Sequence, residues 1–383
     1  MRALLGCILV LWAGLAAAWE VRGELGLEGR YFPEEGPEVK WHDNGSAYAR
    51  AEVLHDWNRG RDLFTFIPYA RVDEHDERRT HGDIRELSWI HVGDRWESRV
   101  GIRKVFWGVT EGRHLVDIIN QTDQVDQVDS EEKLGQPMIN FSWAPRWGTL
   151  DFFALPGFRE RTYPGEDGRP RFPIVVAEDE AEYESPAENE RVDFAFRGQL
   201  FLGSLELALS HFSGTSREPR LEPERDLVNP SLPPAPNNIA DVWLEPVYDV
   251  IDQTGIELLW PRGGWLWKFE GISRSGQGER FEAASGGFEY TQVGLFGTAM
   301  DLGWILEYLW EEDRETLSRS PFEHDWLLGQ RFTFNDTAGT EILWTLIHDP
   351  HSEEKVVNLE ASRRLGSNFK ISLEGRAYTD TGE

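Results

Sequence analysis

Strict alternation of apolar and polar residues constrains the fold of this chain more than any other feature. Near the C-terminus, Phe369, Ile371 and Leu373 alternate with charged or hydroxyl-bearing residues, and similar patterns run from Val21 to Glu28 and from Leu302 to Trp310. A period of two places successive side chains on opposite faces of a β-strand. One face of each segment therefore meets an apolar medium and the other meets water, which predicts an all-β protein.

The length of the alternating segments separates a membrane protein from a soluble one. We predict about seventeen strands, most of them roughly ten to fifteen residues long. They lie near 20–31, 46–56, 63–73, 83–92, 95–106, 137–144, 148–155, 190–201, 204–214, 247–260, 264–274, 281–294, 298–311, 325–335, 339–348, 355–364 and 368–378. Strands in soluble sandwiches usually have about five or six residues, whereas a tilted membrane-spanning strand needs about ten. The length favours a transmembrane barrel.

The connections between these strands alternate between short and long. Even-numbered strands are followed by tight turns, for example near Asn58, Gly203 and Gly366. Odd-numbered strands are followed by longer segments, including 32–45, 107–136, 156–189, 214–246 and 311–324. Short periplasmic turns and long extracellular loops are typical of outer-membrane barrels. We therefore predict a transmembrane antiparallel up-and-down β-barrel of about 16–18 strands.

Aromatic residues support the same prediction. Six of them lie close to the tight turns, where a girdle at the membrane interface is expected; they are Trp57, Trp96, Trp147, Trp260, Trp265 and Phe296. The 17 tryptophans would also suit a rich core or platforms that bind sugars. A soluble carbohydrate-binding or carbohydrate-hydrolysing β-protein remains the alternative if the apolar strand faces pack against a second sheet.

The N-terminus predicts export. Arg2, the apolar run from Leu4 to Ala17 and the small residues before Trp19 are typical of a secretory signal peptide over residues 1–18. The segment before Cys7 resembles a lipoprotein cleavage box. Most of the apolar region follows Cys7, however, which argues against cleavage there. We expect residues 19–383 to form one barrel domain. No later apolar run approaches the length of about 20 residues that a spanning helix needs.

The strand count also predicts how the barrel ends. Single-chain bacterial barrels have an even number of strands, so a chain of seventeen strands would require one more inward-running strand. The last residues, Thr379 to Glu383, do not form an apolar-alternating segment that ends in an aromatic residue. We therefore expect that a closing strand is missing, and that the full barrel has eighteen.

Three segments carry a resemblance to a known group of proteins. They are RVGIRKVFWGVTEGRHLVDIINQTD, the pair of strands from Phe141 to Phe153, and HFSGTSREPRL. They resemble porin-like outer-membrane proteins of Gram-negative bacteria, in which a strand leads through Trp-Gly into a loop with spaced Asp and Asn residues. The matching positions are Gly101, Lys104, Trp107, Gly108, Asp117, Asn120 and Asp123. The resemblance implies a barrel and a pore, and it leaves the solute unspecified.

The segment from Trp107 to Gln136 is the third long loop. In trimeric porins the third loop folds inward and narrows the channel, and Leu115, Val116, Ile118 and Ile119 are too apolar for a solvated loop. We expect this loop to pack against the barrel wall, because a barrel of this size otherwise encloses an open aqueous channel. Rings of charged residues at a constriction set ion selectivity. The candidates are Glu86, Arg99, Arg103, Arg113, His114, Asp117, Asn120, Asp123 and Asp126.

Some of these residues have simpler interpretations. Glu86 and Arg103 suit a structural pair between strands or an anchor for the loop. Asp123, Asp126 and Asp129 recur every third residue, but they lack the ligand spacing and glycine of a calcium-binding loop. A solvated acidic loop explains them better, and it also explains the acidic run 177–190. An alternative is that divalent cations bridge this acidic run to lipopolysaccharide.

The sequence predicts an outer-membrane channel for the passive or selective passage of small solutes. A substrate-specific channel or exporter is the runner-up. The net charge of −29 argues against nucleic acid as a partner. Outer-membrane lipid and lipopolysaccharide are the expected surroundings, and a homotrimer is left open. We expect no enzyme, cofactor or metal site, because no motif of a nucleophile or metal site supports His211, Ser213 and Asp241, or His348 with Asp349.

Overall fold

The computed structural model describes most of the chain. The described ranges are 19–36, 39–127, 131–233, 235, 238–312, 323–352 and 354–379. The predicted signal peptide, residues 1–18, and Asp129 of the acidic triplet lie outside them. Within these ranges, no helix is long and apolar enough to cross a membrane.

The described residues form twenty strands and three short 3-10 helices. The strands are β1 (Glu20–Tyr31), β2 (Asp43–Trp57), β3 (Asp62–Asp73), β4 (His81–Val92), β5 (Trp96–Arg103), β6 (Gln136–Trp143), β7 (Gly148–Pro156), β8 (Glu182–Tyr183), β9 (Val192–Leu202), β10 (Leu205–Thr215), β11 (Arg220–Leu227), β12 (Ile239–Tyr248), β13 (Val250–Arg262), β14 (Trp265–Ser275), β15 (Phe281–Gln292), β16 (Asp301–Glu311), β17 (His324–Thr333), β18 (Glu341–His348), β19 (Lys355–Leu365) and β20 (Phe369–Thr379). The 3-10 helices are Glu178–Glu180, Glu188–Glu190 and Leu295–Gly297.

Seventeen of these strands form one antiparallel sheet that makes up the barrel wall. They are β1–β7, β9, β10 and β13–β20, and each pairs with its neighbour along this order. The seventeen strands predicted from the sequence are all present, with ends shifted by a few residues. Within the described ranges, β1 pairs with β2 and β20 pairs with β19, each along one edge. An eighteenth closing strand stays a prediction.

The remaining three strands form a second, small sheet that the sequence analysis placed in loops. β11 and β12 pair antiparallel, and β8 joins β12 in parallel. They lie within the long connections that follow β7 and β10. Pro223 and Pro246 interrupt the alternation in β11 and β12, and this pairing depends on contacts between distant loops. A short-range pattern therefore gave no sign of it.

The two faces of the barrel wall differ in polarity as the alternation predicts. In β14, Trp267 and Phe269 face outward and are 41% and 39% exposed, whereas Lys268 and Glu270 face the lumen and are buried. Exposed apolar residues recur around the sheet, among them Phe152, Leu209, Ile256, Trp304, Trp326 and Leu328. In the described part of the chain no second sheet packs against these faces, although the soluble alternative requires such packing. An apolar outer face suits lipid.

The tight turns lie at one end of the barrel and carry the expected aromatic residues. In the turn between β2 and β3, Asn58, Arg59 and Gly60 have φ values of 54°, 61° and 77°. Asparagine tolerates this left-handed conformation because its side chain can hydrogen-bond locally, and here Asn58 donates to Asp62 at 2.9 Å. Partly exposed tryptophans flank such turns; they are Trp57, Trp96, Trp147 and Trp265.

Adjacent positions on β19 test which face meets the lipid. Leu359 faces outward and Asn358 faces the lumen. We expect Leu359→Arg to lower the free energy of unfolding in lipid by about 2–4 kcal/mol, because a guanidinium then lies in hydrocarbon. Asn358→Arg is the matched control, with an expected change below about 1 kcal/mol because its side chain meets polar surroundings. Denaturant titration in liposomes measures both, and equal losses would contradict this assignment of faces.

Candidate pore constriction

The connection between β5 and β6, residues 104–135, folds into the barrel; we call it L3. Its apolar residues pack against the inner wall, as the sequence analysis predicted. Leu115, Val116, Ile118 and Ile119 are at most 5% exposed. Their cluster includes wall residues from β6 to β15, namely Met138, Phe153, Leu155, Ala195, Phe212, Ile251, Ile272, Phe281 and Ala283. L3 is therefore a packed element of the lumen.

Glu270 on β14 holds the first part of L3. Its Oε1 accepts hydrogen bonds from the backbone N–H of Val109 at 2.6 Å and of Thr110 at 2.9 Å, and from the Thr110 hydroxyl at 2.8 Å. Its Oε2 accepts from the N–H of Val116 at 3.3 Å. The side chain is fully buried. These charge-assisted hydrogen bonds satisfy backbone donors that have no strand partner.

Glu307 on β16 holds the next residues of L3 in the same way. Its carboxylate accepts the N–H of Glu111 at 2.8 Å and the N–H of Gly112 at 2.9 Å. A Cβ atom on Gly112 would lie 2.9 Å from Leu327 Cδ1, so a side chain at this position would clash with the wall. Sequence reasoning missed Glu270 and Glu307, because an inward acidic residue in a strand looks the same whether it meets water or a loop.

The second part of L3 is held near β1–β4 by arginines. Arg85 bonds Asp123 at 2.7 Å and also bonds Asp126, whose carboxylate lies 3.0 Å from Arg71 Nε. Arg79 donates to the Val125 carbonyl at 3.1 Å. The pairing of β3 and β4 shifts register at this point. Ile84 and Glu86 on β4 pair with two adjacent residues of β3, so Arg85 has no pairing partner and forms a bulge. Such a bulge re-aims a side chain, and it lets Arg85 and Glu86 both reach the lumen side.

Burial and ion pairing act against each other on these two aspartates. Burial raises the pKa of Asp123, but the charge and hydrogen bond of Arg85 outweigh it and hold the pKa below its usual range. Burial and the charge of Asp123 raise the pKa of Asp126. His81, Asp123 and Asp126 place ligand atoms within 4.8 Å of one another. The guanidinium groups already neutralise both carboxylates, which favours an ion-pair cluster over a cation site.

Asn120 and Asp117 hold the base of L3 together. Asn120 Oδ1 accepts from the N–H of Val105 at 2.8 Å, and its Nδ2 donates to the carbonyls of Arg103 and Leu134, each at 2.8 Å. Asp117 accepts from the N–H of Trp107 at 3.2 Å and pairs with Lys133. Burial raises the pKa of Asp117, although Lys133 opposes this. Both side chains join the two ends of the loop.

The other predicted constriction residues are partly accessible. Glu86 and Arg103 pair at 3.7 Å, as the simpler interpretation of these two residues expected. Arg99 donates to Asn140 at 2.8 Å and also bonds Glu97. Arg113 bonds Glu311, and His114 pairs with Glu131 at 3.3 Å. The side chains of Glu86, Arg99, Arg103, Arg113 and His114 are 16–24% exposed, whereas Asp117, Asn120, Asp123 and Asp126 are at most 4% exposed.

The long connections after β7 and β10 cover L3. Arg161 donates to Gln121 at 3.2 Å, and Arg217 donates to the Ile119 carbonyl at 3.1 and 3.2 Å. Arg159 donates to the Gly135 carbonyl at 3.0 Å. The predicted acidic segment 177–190 contains β8 and two of the 3-10 helices. L3 therefore lies between the barrel wall and these outer segments.

Comparisons with known proteins address the fold. No protein-family model and no curated protein matches the sequence. A BenF-like porin from Pseudomonas fluorescens Pf-5 is similar in structure, with a TM-score of 0.53 and 10% identity, covering 94% of this chain and 93% of that one. OccK2 (OpdF) of Pseudomonas aeruginosa, solved in complex with glucuronate, gives a TM-score of 0.52 and 10% identity, covering 94% and 91%.

A third similar structure belongs to a barrel with a different role. Wzi is a carbohydrate-binding β-barrel, an outer-membrane protein involved in group 1 capsule assembly in Escherichia coli. It gives a TM-score of 0.50 at 10% identity, covering 99% of this chain and 84% of that one. At such low identity these likenesses show the fold alone. The chain has the fold of a transmembrane outer-membrane β-barrel, as predicted.

The hold of Glu307 on L3 is testable by mutation. Glu307→Gln removes the negative charge and replaces one of the two oxygens that accept from the N–H groups of Glu111 and Gly112, so these hydrogen bonds lose their charge assistance. We expect a loss of about 1–3 kcal/mol in the free energy of unfolding, together with faster protease cleavage inside L3. Glu289→Gln is the matched control, because the ion pairs of Glu289 with Lys268 and Arg331 are long, at 3.6 and 3.8 Å. The same loss in both variants would contradict the specific role of Glu307.

Proposed function

We propose that this protein is an outer-membrane channel for the passage of small solutes and that L3 narrows the channel. The observation that carries the proposal is the path of L3 across the lumen, from β5 to Glu270 and Glu307 on β14 and β16. A wide barrel without such a loop would leave a broad aqueous channel. The likeness to porins supports this function but does not identify a solute.

The proposed constriction uses only part of the residue set predicted from the sequence. Five partly exposed residues are assigned to its lining, namely Glu86, Arg99, Arg103, Arg113 and His114. The other four, Asp117, Asn120, Asp123 and Asp126, are assigned to holding L3 in place, because protein atoms surround them. Charges that touch the solution affect the passage of ions directly, whereas buried ion pairs act through the position of the loop.

A second candidate function is binding of a carbohydrate at the cell surface, since the similar barrel Wzi binds carbohydrate. The packing of L3 against the wall from β6 to β15 and under the outer segments favours this candidate, because it closes that side of the lumen to solutes. A substrate-specific channel or exporter would both bind its solute and let it pass, so it shares a property with each of the two candidates. Passage of solutes separates a channel from a binding barrel.

We place no enzymatic role in this proposal. His211 faces outward on β10, where its Nδ1 lies 3.0 Å from the Thr254 hydroxyl, whereas Asp241 belongs to β12 of the small sheet. His348 lies 3.3 Å from the Glu354 carbonyl. These contacts explain the histidines as parts of strand packing. Lipid and lipopolysaccharide remain the proposed surroundings, and a homotrimer remains a prediction.

Single-channel recording in a planar lipid bilayer tests the proposed function. We expect discrete conductance steps from the purified, folded barrel, and higher conductance or more frequent steps in Glu307→Gln, because L3 is held less firmly. Heat-modifiable migration on a gel checks that each preparation is folded. A folded barrel that inserts into the bilayer without conductance, and binds an oligosaccharide instead, would favour the second candidate.

The charge of His114 gives a pH test of the proposed lining. Burial lowers the pKa of His114, but its hydrogen bond to Glu131 and the charges of Glu131, Glu270 and Asp117 outweigh it and raise the pKa above 6.5. The imidazolium is therefore present below the raised pKa and lost as pH rises through it. We expect the anion-to-cation permeability ratio to fall as pH rises above 6.5, measured as reversal potential in a salt gradient. His114→Gln should remove this change, and an identical change in that variant would contradict the assignment.

A further inference from the structure

L3 has one packed side and one open side. The open side carries Phe106, whose residue surface is 57% exposed, and Glu131, whose side chain is 55% exposed. His114 lies between them: its ring meets the Phe106 ring edge-on at 4.7 Å, and its Nε2 lies 3.3 Å from Glu131. These three side chains form one continuous surface, and an accessible aromatic ring on a loop inside the barrel needs an explanation.

The opposite wall is formed by β19 and β20. Asn358 pairs with Arg376 across these strands, and Asn358 also pairs with the inward-facing Thr345 on β18. Because ladder partners share a face, Asn358 and Arg376 face the lumen. The hydrogen bond from His114 is the largest influence that lowers the pKa of Glu131, and the charge of Arg376 adds to it. L3 packs against the wall from β6 to β15 and is bonded near β1–β4, so its open side faces the remaining part of the wall, which includes β19 and β20.

The wall behind L3 differs, because it is filled. Ala195 on β9, Phe153 on β7 and Ile251 on β13 face the lumen but are 7%, 6% and 0% exposed. They contact the apolar residues of L3 within one cluster. A solute on that side would have to displace packed side chains, whereas the side of β19 and β20 presents accessible polar groups.

We propose that solutes pass between Phe106, His114 and Glu131 on L3 and Asn358 and Arg376 on the wall, and that these side chains set the selectivity of the channel. This inference rests on the proposed function and refines it, because it places the selective surface on the open side of L3 and the wall that this side faces. The surface combines an aromatic ring with groups of both charge signs. It suits a small solute that carries a charged group beside an apolar face.

Cysteine labelling tests this route. The sequence contains a single cysteine, Cys7, in the predicted signal peptide, so Phe106→Cys and Asn358→Cys introduce defined thiols. Ala195→Cys is the matched control on the wall behind L3. Each folded barrel is reconstituted in liposomes and treated with a charged, membrane-impermeant methanethiosulfonate. The readouts are the mass shift over time and the single-channel current before and after labelling, with the unmodified chain as the background.

We expect the thiols at positions 106 and 358 to react about tenfold faster than the thiol at position 195, because reaction requires an accessible thiolate. Labelling at either position should reduce the current by about twofold or more, since the attached group occupies the passage. Complete labelling at 106 and 358 with unchanged current would overturn the proposed route. Equal or faster labelling at 195, accompanied by a reduced current, would place the route behind L3.

The same experiment separates this inference from the proposed function. If the unmodified, folded barrel carries no current, the channel function fails. The labelling rates then still decide whether the space beside β19 and β20 is open. If the thiols at positions 106 and 358 react no faster than the thiol at position 195, the assignment of an open side to L3 is wrong as well.

Discussion

Every backbone N–H and C=O group in hydrocarbon needs a partner within the protein, because lipid offers none. This requirement selects a sheet whose strands pair along their length, and antiparallel ladders join every two neighbouring strands of the wall from β1 to β20. Such a wall forces side chains to alternate between lipid and lumen, which leaves a polar interior. L3 enters that interior with unpaired backbone groups of its own. Glu270 and Glu307 supply acceptors for them, so the same requirement that shapes the wall also places the loop.

Charge pairing extends this arrangement to the second part of L3. Asp123 and Asp126 enter a buried site near β1–β4, where removal from water would be costly without opposite charges. Arg71 and Arg85 compensate them, and the bulge at Arg85 brings its guanidinium to the lumen side. Because both carboxylates are buried in ion pairs, we propose that they anchor L3 and that other residues carry the charge of the passage.

The sequence predicted the parts of this structure that depend on local alternation. The seventeen wall strands follow from a period of two, since lipid and water impose it on each strand separately. The apolar run of Leu115, Val116, Ile118 and Ile119 likewise predicted a packed loop. The pairing of β8, β11 and β12, and the bonds from Glu270 and Glu307, join residues far apart in the chain. No short-range pattern distinguishes a carboxylate that faces water from one that faces a loop, so these features needed the three-dimensional structure.

The tip of L3, at Gly112, reaches Leu327 on β17, across the barrel from β5. A disulfide between Gly112→Cys and Leu327→Cys tests this placement most directly, because a Cβ atom on Gly112 would lie 2.9 Å from Leu327 Cδ1. Replacing the leucine by cysteine removes that methyl group, so the two introduced side chains point into the same space, as a disulfide requires. Under mild oxidation of the folded barrel we expect the cross-link to form within the monomer, seen as a linked pair of peptides by mass spectrometry. Two free, freely labelled thiols in a barrel that retains its heat-modifiable migration would contradict the inward path of L3.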